Sequence, residues 1–514
     1  DLNTKLLRRY ESQNLLSIVK ICFNRFMLPV WLLTLLTIAF ILRIPSFFEP
    51  NWYGDEAIYI TLGQGLSNGL MLYRDVYDNK PPMIYILAGI AGNIFWFKAI
   101  LAFWSVGTII LYWNLLKILL PKSGKLIVYS TIIFTLLTTL PLLEGNIANA
   151  ENFLILSIIF SFVILLQKDK PSFQRILLSG LVLGTGTLFK VPAFTDAFVP
   201  IVAWFAFFSK SQDSFMEFVK KSVVFLIGVI TPFSTTIISF YLAGFGNQYI
   251  IITISQMIGY LSSWGQSTQV STTTNGPLMF RAGLTAVLLL GLVSLYVKEK
   301  ISKEFLFVSA WFFLSLFAVL LSQRPYPHYI LQVVPSLSIL LGLAIAARGK
   351  EQFYAYPLFL VLAASLVFFK FNYYPVFAYY KNFLEFATQI QTKDQFFANF
   401  DSRTPKNYEV SKFLAESANP QDKLFVWGND PEIYATSHIL PATPYVVAYH
   451  IRELNKYDEV ANFISTTPPR FIVTTHSVND FPQLASILSQ NYIKVKQTNE
   501  TRVYLHINSN GTSN

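Results

Sequence analysis

Long apolar runs separated by short polar breaks fill the first 370 positions. The runs at 27–44, 99–116, 125–143, 151–167, 176–190, 194–209, 222–243, 281–297, 304–321, 329–347 and 353–370 approach or reach the roughly 17–25 residues a helix needs to cross a bilayer. They predict about eleven transmembrane helices. After position 370 the pattern changes. Thr404-Pro405 reads as an N-cap and first-turn proline. Short apolar strands follow at 424–427, 471–474, 492–496 and 502–506, with helical stretches at 453–465 and 482–489 between them. Alternating helices and strands predict a small α/β domain. The fold class is a polytopic α-helical membrane protein with a C-terminal soluble α/β domain.

Composition agrees. The chain is 53% hydrophobic and 13% charged, against about 25% charged in a soluble globular protein. The net charge is +10, but positions 371–514 hold 12 basic and 13 acidic residues, so the excess lies in the membrane part. It clusters at Lys117/Lys122/Lys125, Lys168/Lys170/Arg175, Lys210/Lys220/Lys221, Lys298/Lys300/Lys303 and Arg348/Lys350. Short basic loops mark the cytoplasmic side and give no sign of nucleic-acid binding.

Placing all five loops inside predicts the topology. The segment 1–26 is cytoplasmic and 27–370 is the membrane domain. The long extracytoplasmic loops are 45–98 and 245–280, and 371–514 lies outside with them. Shorter outer links fall at 144–150, 191–193 and 322–328. Only one crossing fits between the first span and Lys117, so the apolar run 82–97 should not cross. If it did, every later loop would reverse. The run from Tyr249 to Trp264 reads as an interfacial helix over the outer face. The first apolar run reads as an anchor and not a cleaved signal. Cys22 is the sole cysteine, so no intrachain disulfide and no Cys-based metal site is expected.

Charge is scarce, yet it gathers just beyond the first span, from Trp52 through Asp55-Glu56, Tyr59, Arg74-Asp75 and Asp78 to Lys80-Pro81-Pro82. Asp55 can be a helix cap favoured by the helix dipole. It can also be a general base, since a partly screened carboxylate takes a proton from an attacking hydroxyl. Lys80 is held by two prolines at a helix entrance, where it either snorkels or meets an anionic head group. Lys190 ends a span on the predicted outer side, against the usual bias. Glu144 and Glu151 bracket another outer boundary. Arg324-Pro325-Tyr326-Pro327-His328-Tyr329 forms a rigid outer link, and an Arg fork binds phosphate bidentately. One membrane face thus collects Asp55, Glu56, Lys80, Glu151, Lys190, Arg324 and His328. A carboxylate among cations suits a reaction in which a phosphate leaves and a hydroxyl attacks.

In order, Asp55-Glu56, Tyr59, Gly65/Gly69, Lys80-Pro81-Pro82, Tyr85, Phe189-Lys190 and Arg324…His328-Tyr329 resemble a family of integral-membrane glycosyltransferases of the GT-C fold. These are prokaryotic relatives of the dolichyl-phosphate-mannose protein mannosyltransferases and of the lipid A aminoarabinose transferase. The tail segment from Phe425 to Tyr434 looks like the periplasmic domain of many members. The resemblance implies an inverting transferase that moves a sugar from a polyprenyl-phosphate-linked lipid to an extracytoplasmic acceptor hydroxyl. It makes Asp55 the base with Glu56 in support. Lys80, Lys190, Arg324 and His328 would hold the donor phosphate. Tyr59, Arg74, Tyr85, Glu151 and Tyr329 would line the substrate site. Glu151 departs from the Asp often found at that place in the family. No cofactor is called for; Asp55, Glu56 and Glu151 could hold a divalent cation near Asp55, but no ligand spacing argues for one. The expected location is the cell membrane, with the N-terminus cytoplasmic and the site and C-terminal domain outside. The competing readings are a polyprenyl-lipid flippase or transporter, which usually shows inverted repeats, and a membrane scaffold, which leaves Asp55 and Lys80 without a role.

Overall fold

A computed structural model describes residues 28–210, 214–255, 276–321, 324–346, 349–498 and 500–507. The N-terminal segment 1–26, Cys22 and the stretch 256–275 lie outside the described residues, and with them most of the expected interfacial helix. Its beginning is seen as a short helix, Gly246–Ile250, and a wider turn over Ile251–Ser255.

Each predicted span holds a helix. They are α1 (Val30–Arg43), α4 (Ile94–Leu119), α5 (Gly124–Thr139), α6 (Ala150–Leu166), α7 (Phe173–Thr187) and α8 (Phe198–Lys210), then α9 (Phe215–Leu242), α10 (Gly276–Val297), α11 (Lys303–Leu320), α12 (Val334–Ala346) and α13 (Lys350–Phe368). Seven segments among the described residues are long and apolar enough to cross a membrane; α5, α6 and α12 are shorter apolar helices. The hub is α11, buried almost all round. By contrast α9 and α10 turn Ile230, Ile238, Val287 and Leu290 outward, as a lipid-facing surface requires.

The run 82–97 is broken. Between α1 and α4 lie α2 (Gly54–Ser67) and α3 (Met83–Ala91). Nine residues at 1.5 Å each reach about 14 Å, less than half of a bilayer core of about 30 Å. Gly92, at φ +70°, ends α3 in the left-handed region that glycine adopts without a Cβ clash. Asn93 then caps α4, its side chain accepting from Trp96 N–H at 3.1 Å. The second span therefore begins at Ile94, five positions before the apolar pattern places it. Helices α2 and α3 touch backbone to backbone: a Cβ on Gly63 would sit 2.4 Å from Gly89 N.

Three of the basic loops meet at one end of the bundle. Lys210 pairs with Glu299 at 2.9 Å, and Lys303 lies 3.9 Å from Asp169. The C-terminal domain docks at the other end. Its five strands are β1 (Lys423–Trp427), β2 (Leu440–Pro441), β3 (Phe471–Thr474), β4 (Tyr492–Thr498) and β5 (Thr501–His506), in the order β2-β1-β3-β5-β4. The first three run parallel, and β5 and β4 add antiparallel. The central strands β1 and β3 are near-continuous apolar runs, as burial on both faces demands. Edge strand β4 carries Lys494 and Lys496, which blunt it against pairing. Helix α14 (Val376–Ala387) leads into the domain, and α15 (Thr404–Ser417) and α16 (Glu432–Ser437) flank its sheet. Thr404 is the first residue of α15 and not its N-cap; Asp401 accepts from Arg403 N–H at 2.8 Å and closes the end instead.

The domain is stitched to α2 and to the loops on either side of it. Tyr77 N–H donates to Pro444 O at 2.9 Å, Asn51 N–H to the Tyr408 hydroxyl at 2.8 Å, and Thr61 Oγ1 to Pro431 O at 3.2 Å.

Candidate active site

Asp55 and Glu56 open α2, and no side chain caps that helix. Asp55 is thus a first-turn residue and not the cap. Consecutive residues on a helix point about 100° apart, so the pair divides. Asp55 stays partly open, its side chain 31% exposed. Its Oδ2 accepts from Tyr59 at 3.1 Å and lies 3.4 Å from Lys80 Nζ. Burial pushes its pKa up, but Lys80, His328 and the bonds from Tyr59 and Lys80 outweigh this and hold it below the usual carboxylate value. Asp55 is ionised at neutral pH.

Glu56 faces inward. Its Oε1 lies 2.8 Å from Lys98 Nζ and accepts from Ala148 N–H at 2.5 Å. Lys98 also reaches Glu49 at 3.1 Å and Asn146 O at 2.9 Å. Glu49 accepts from Asn146 at 2.7 Å and from the Tyr379 hydroxyl at 2.5 Å. Burial raises Glu56 to about 7 despite Lys98. This buried knot ties α2, α4, the loop after α5 and α14 together. Glu56 supports Asp55 by fixing the turn that carries it.

Lys80 links several of these groups. Besides Asp55 it lies 3.8 Å from Asp78 Oδ2, and its ammonium stands 5.0 Å from the centre of the Tyr59 ring. Tyr73 donates to Lys80 O at 2.7 Å, and Lys80 N–H to the Tyr85 hydroxyl at 3.3 Å. Tyr85 in turn donates to buried Asp78 at 2.8 Å. His450, from the C-terminal domain, lies 3.7 Å from Asp78. Burial, only partly offset by Asp78, pushes the His450 pKa down to about 4, so it is neutral at pH 7.

The facing wall comes from the membrane helices. Lys190 pairs with Glu151 at the start of α6, and its ammonium lies 3.4 Å from the centre of the Tyr329 ring. His328 pairs with Glu144, which also accepts from the Tyr53 hydroxyl at 2.8 Å and Asn149 at 3.1 Å. Glu144 sits at φ +58°, uncommon for a side-chain-bearing residue. Arg43 stabilises the turn: its buried fork donates to Thr138 O and Gly145 O, both at 2.9 Å. Tyr53, two residues before Asp55, reaches Glu144 at 2.8 Å and His328 Nδ1 at 3.4 Å, which joins the two walls.

Asp55, Tyr59, Lys80 and Tyr85 form one contact network; Glu151, Lys190 and Tyr329 form a second; His328 joins through Glu144. Arg324 is half-buried in the link whose Pro325 carbonyl accepts from Asn372 N–H at 3.2 Å, and Tyr326 beside it stacks on His328. Arg74 stands at the rim, exposed, in a fork with its neighbour Asp75 at 2.7 and 2.8 Å. The sequence reading passed over Lys98, Glu49 and His450, and noted Tyr53, Asp78 and Glu144 without a role. Lys98 carried a signal, since an amine inside an apolar run is costly unless paired. Among the described residues no cluster of His, Cys, Asp or Glu has the makings of a metal-ligand set; Asp55, Glu56 and Glu151 each face a different lysine.

Apolar helices around a one-sided polar cleft, closed by a small α/β domain, are the GT-C fold of membrane glycosyltransferases. The structure aligns with ArnT from Cupriavidus metallidurans bound to undecaprenyl phosphate, at a TM-score of 0.55 and 14% identity, over 94% of this chain and 99% of that one. The apo state of that protein gives 0.56 at the same identity and coverage. An oligosaccharyltransferase from Archaeoglobus fulgidus, tethered to an acceptor peptide, aligns at 0.43 and 12% identity over 87% of this chain and 69% of that one. No family model and no curated protein sequence matches the chain. At such identities the likeness concerns the fold.

Proposed function

We propose that this protein is an inverting glycosyltransferase that moves a sugar from a polyprenyl-phosphate-linked donor to a hydroxyl of an extracytoplasmic acceptor, which is a glycolipid, a cell-envelope glycan or a protein. The observation that carries this reading is Asp55 in contact with Lys80, with the Lys190–Glu151 and His328–Glu144 pairs joined to it through Tyr53 and Tyr329. The acceptor oxygen attacks the anomeric carbon on the face opposite the phosphate. The new C–O bond forms as the bond to the phosphate oxygen breaks, and the hydroxyl proton passes to Asp55. The departing phosphate keeps its electron pair, and the cations stabilise that charge.

The cations are already paired with carboxylates, which keeps them in place before the donor arrives. Lys80 is shared: as it turns to phosphate, Asp55 loses its nearest counter-charge and its proton affinity rises, which strengthens the base only when donor is bound. The reading needs no cofactor. A divalent ion near Asp55 would compete with Lys80 for the same oxygen. Basic loops at one end of the bundle support a cell-membrane orientation with the cleft and the C-terminal domain outside.

The test uses purified protein in lipid nanodiscs and liposomes with a panel of polyprenyl-phosphate sugars. Release of polyprenyl phosphate with transfer or hydrolysis of the sugar supports the reading. Movement of lipid between leaflets without bond cleavage across the panel would establish the flippase alternative.

A further inference from the structure

Beside Glu144 lies a second cleft of about 390 Å³ between the turn after α5 and helix α14. That is the small end of the range for ligand clefts, roughly 300–1,000 Å³. Its lining has two parts. Trp52, Tyr374 and Phe400 present aromatic rings, with Trp52 set 6.2 Å from Tyr374 and 5.6 Å from Phe400 at differing tilts. Lys381, paired with Glu385 at 3.6 Å, and Asn399, which donates to Asn382 Oδ1 at 2.6 Å, add polar groups to the lining. Trp52 is bonded directly to Tyr53, two residues before Asp55, and the Tyr53 hydroxyl donates to Glu144 at 2.8 Å. Tyr374 and Glu144 both line the cleft. Glu144 is therefore a wall shared by the two clefts.

We propose that this second cleft binds the carbohydrate part of the acceptor, one or two sugar rings, and presents its hydroxyl toward Glu144 and Asp55. The proposal rests on the transferase reading above. A pyranose has apolar C–H faces and a rim of hydroxyls, so it matches rings flanked by amide, carboxylate and ammonium groups. A peptide would instead call for backbone donors and acceptors along a sheet edge, and the polar groups here are side chains. A lipid tail would leave Lys381, Glu385 and Asn399 without a partner in the ligand. The small volume fits a head group, with the remainder of the acceptor outside. Glu144, held in its left-handed conformation by the clamped turn, would accept a hydrogen bond from a sugar hydroxyl and act as a positioning residue.

The test labels a cysteine in the cleft. Ala378 is exposed and lines it, so Ala378→Cys in a Cys22→Ser background gives a single reporter on the full chain in nanodiscs. Maleimide labelling is timed with methyl glycosides of glucose, mannose, galactose and N-acetylglucosamine, with maltose and cellobiose, with a blocked Ala-Ser-Ala peptide, and with a short-chain phospholipid. At least one sugar is expected to slow labelling saturably. Trp52→Ala or Phe400→Ala is expected to weaken that protection about three- to tenfold, the worth of one aromatic contact. Trp52→Phe, which keeps a ring and preserves packing, is expected to retain most of it. Protection by no sugar, by the peptide or phospholipid alone, or undiminished in both alanine variants, would overturn the proposal. If the same preparation cleaves no donor, the transferase reading fails separately, and the labelling still decides what the cleft binds.

Discussion

Lys80 Nζ lies 3.4 Å from Asp55 Oδ2 and 3.8 Å from Asp78 Oδ2, so one ammonium is shared by a carboxylate at the cleft mouth and a carboxylate buried against the C-terminal domain. Through Asp78 the soluble domain reaches the site, because His450 lies on the other side of that same carboxylate. The domain is thus a wall of the cleft and not a distant appendage.

Arg324→Ala is expected to weaken donor binding about tenfold or more, the cost of losing a charge-assisted hydrogen bond to phosphate, and to slow turnover of bound donor. Binding is read by titration with a donor lipid and turnover by release of polyprenyl phosphate. Unchanged affinity and turnover would remove Arg324 from the phosphate site.

Lys98→Met strands Glu49 and Glu56 in the interior. Breaking a buried pair from one side costs about 3–5 kcal/mol, so the variant should give little folded protein. Glu56→Gln should be milder, because Lys98 keeps Glu49 and the Asn146 carbonyl. Thermal midpoints and yields in detergent compare the two; equal tolerance would show that the knot does not hold the first turn of α2.

Burial, with Asp430 beside it, raises Glu432 from 4.5 to about 8. Between these values the unfolded chain has released a proton that the folded domain retains. Stability therefore falls as pH rises from about 4.5 to 8, by on the order of a few kcal/mol. Glu432→Gln, which keeps the shape and has no proton to lose, should flatten this part of the pH profile of the thermal midpoint in the full chain. An equal slope in the variant would mean that Glu432 ionises normally.

A tag at the C-terminus should be accessible to an impermeant reagent in intact cells. Finding it on the cytoplasmic side would reverse the orientation of the cleft.

The spans and the α/β domain were legible because each depends on local pattern: apolar length for the helices, alternation of elements for the sheet. Charge parity led to the expectation that 82–97 is not a span; the structure shows a nine-residue helix there and a break at Gly92-Asn93. Asp55, Lys80, Lys190 and His328 stood out as charges where charge is costly. Their partners did not. Nothing in the local sequence joins Glu144 to His328, 184 positions apart, or His450 to Asp78 across two domains. The roles of Asp55 and Glu56 divide because helix geometry turns adjacent side chains apart, and only the placement of Lys98 shows which one is buried.

The central claim is that Asp55 takes the acceptor proton. Its most direct test is Asp55→Asn, with donor binding and sugar transfer measured separately on the same preparation. Transfer should fall by about 10²–10⁴-fold, the usual worth of a general base, while donor affinity stays close to that of the unaltered protein. Lost donor binding with normal turnover of whatever donor is bound would contradict it.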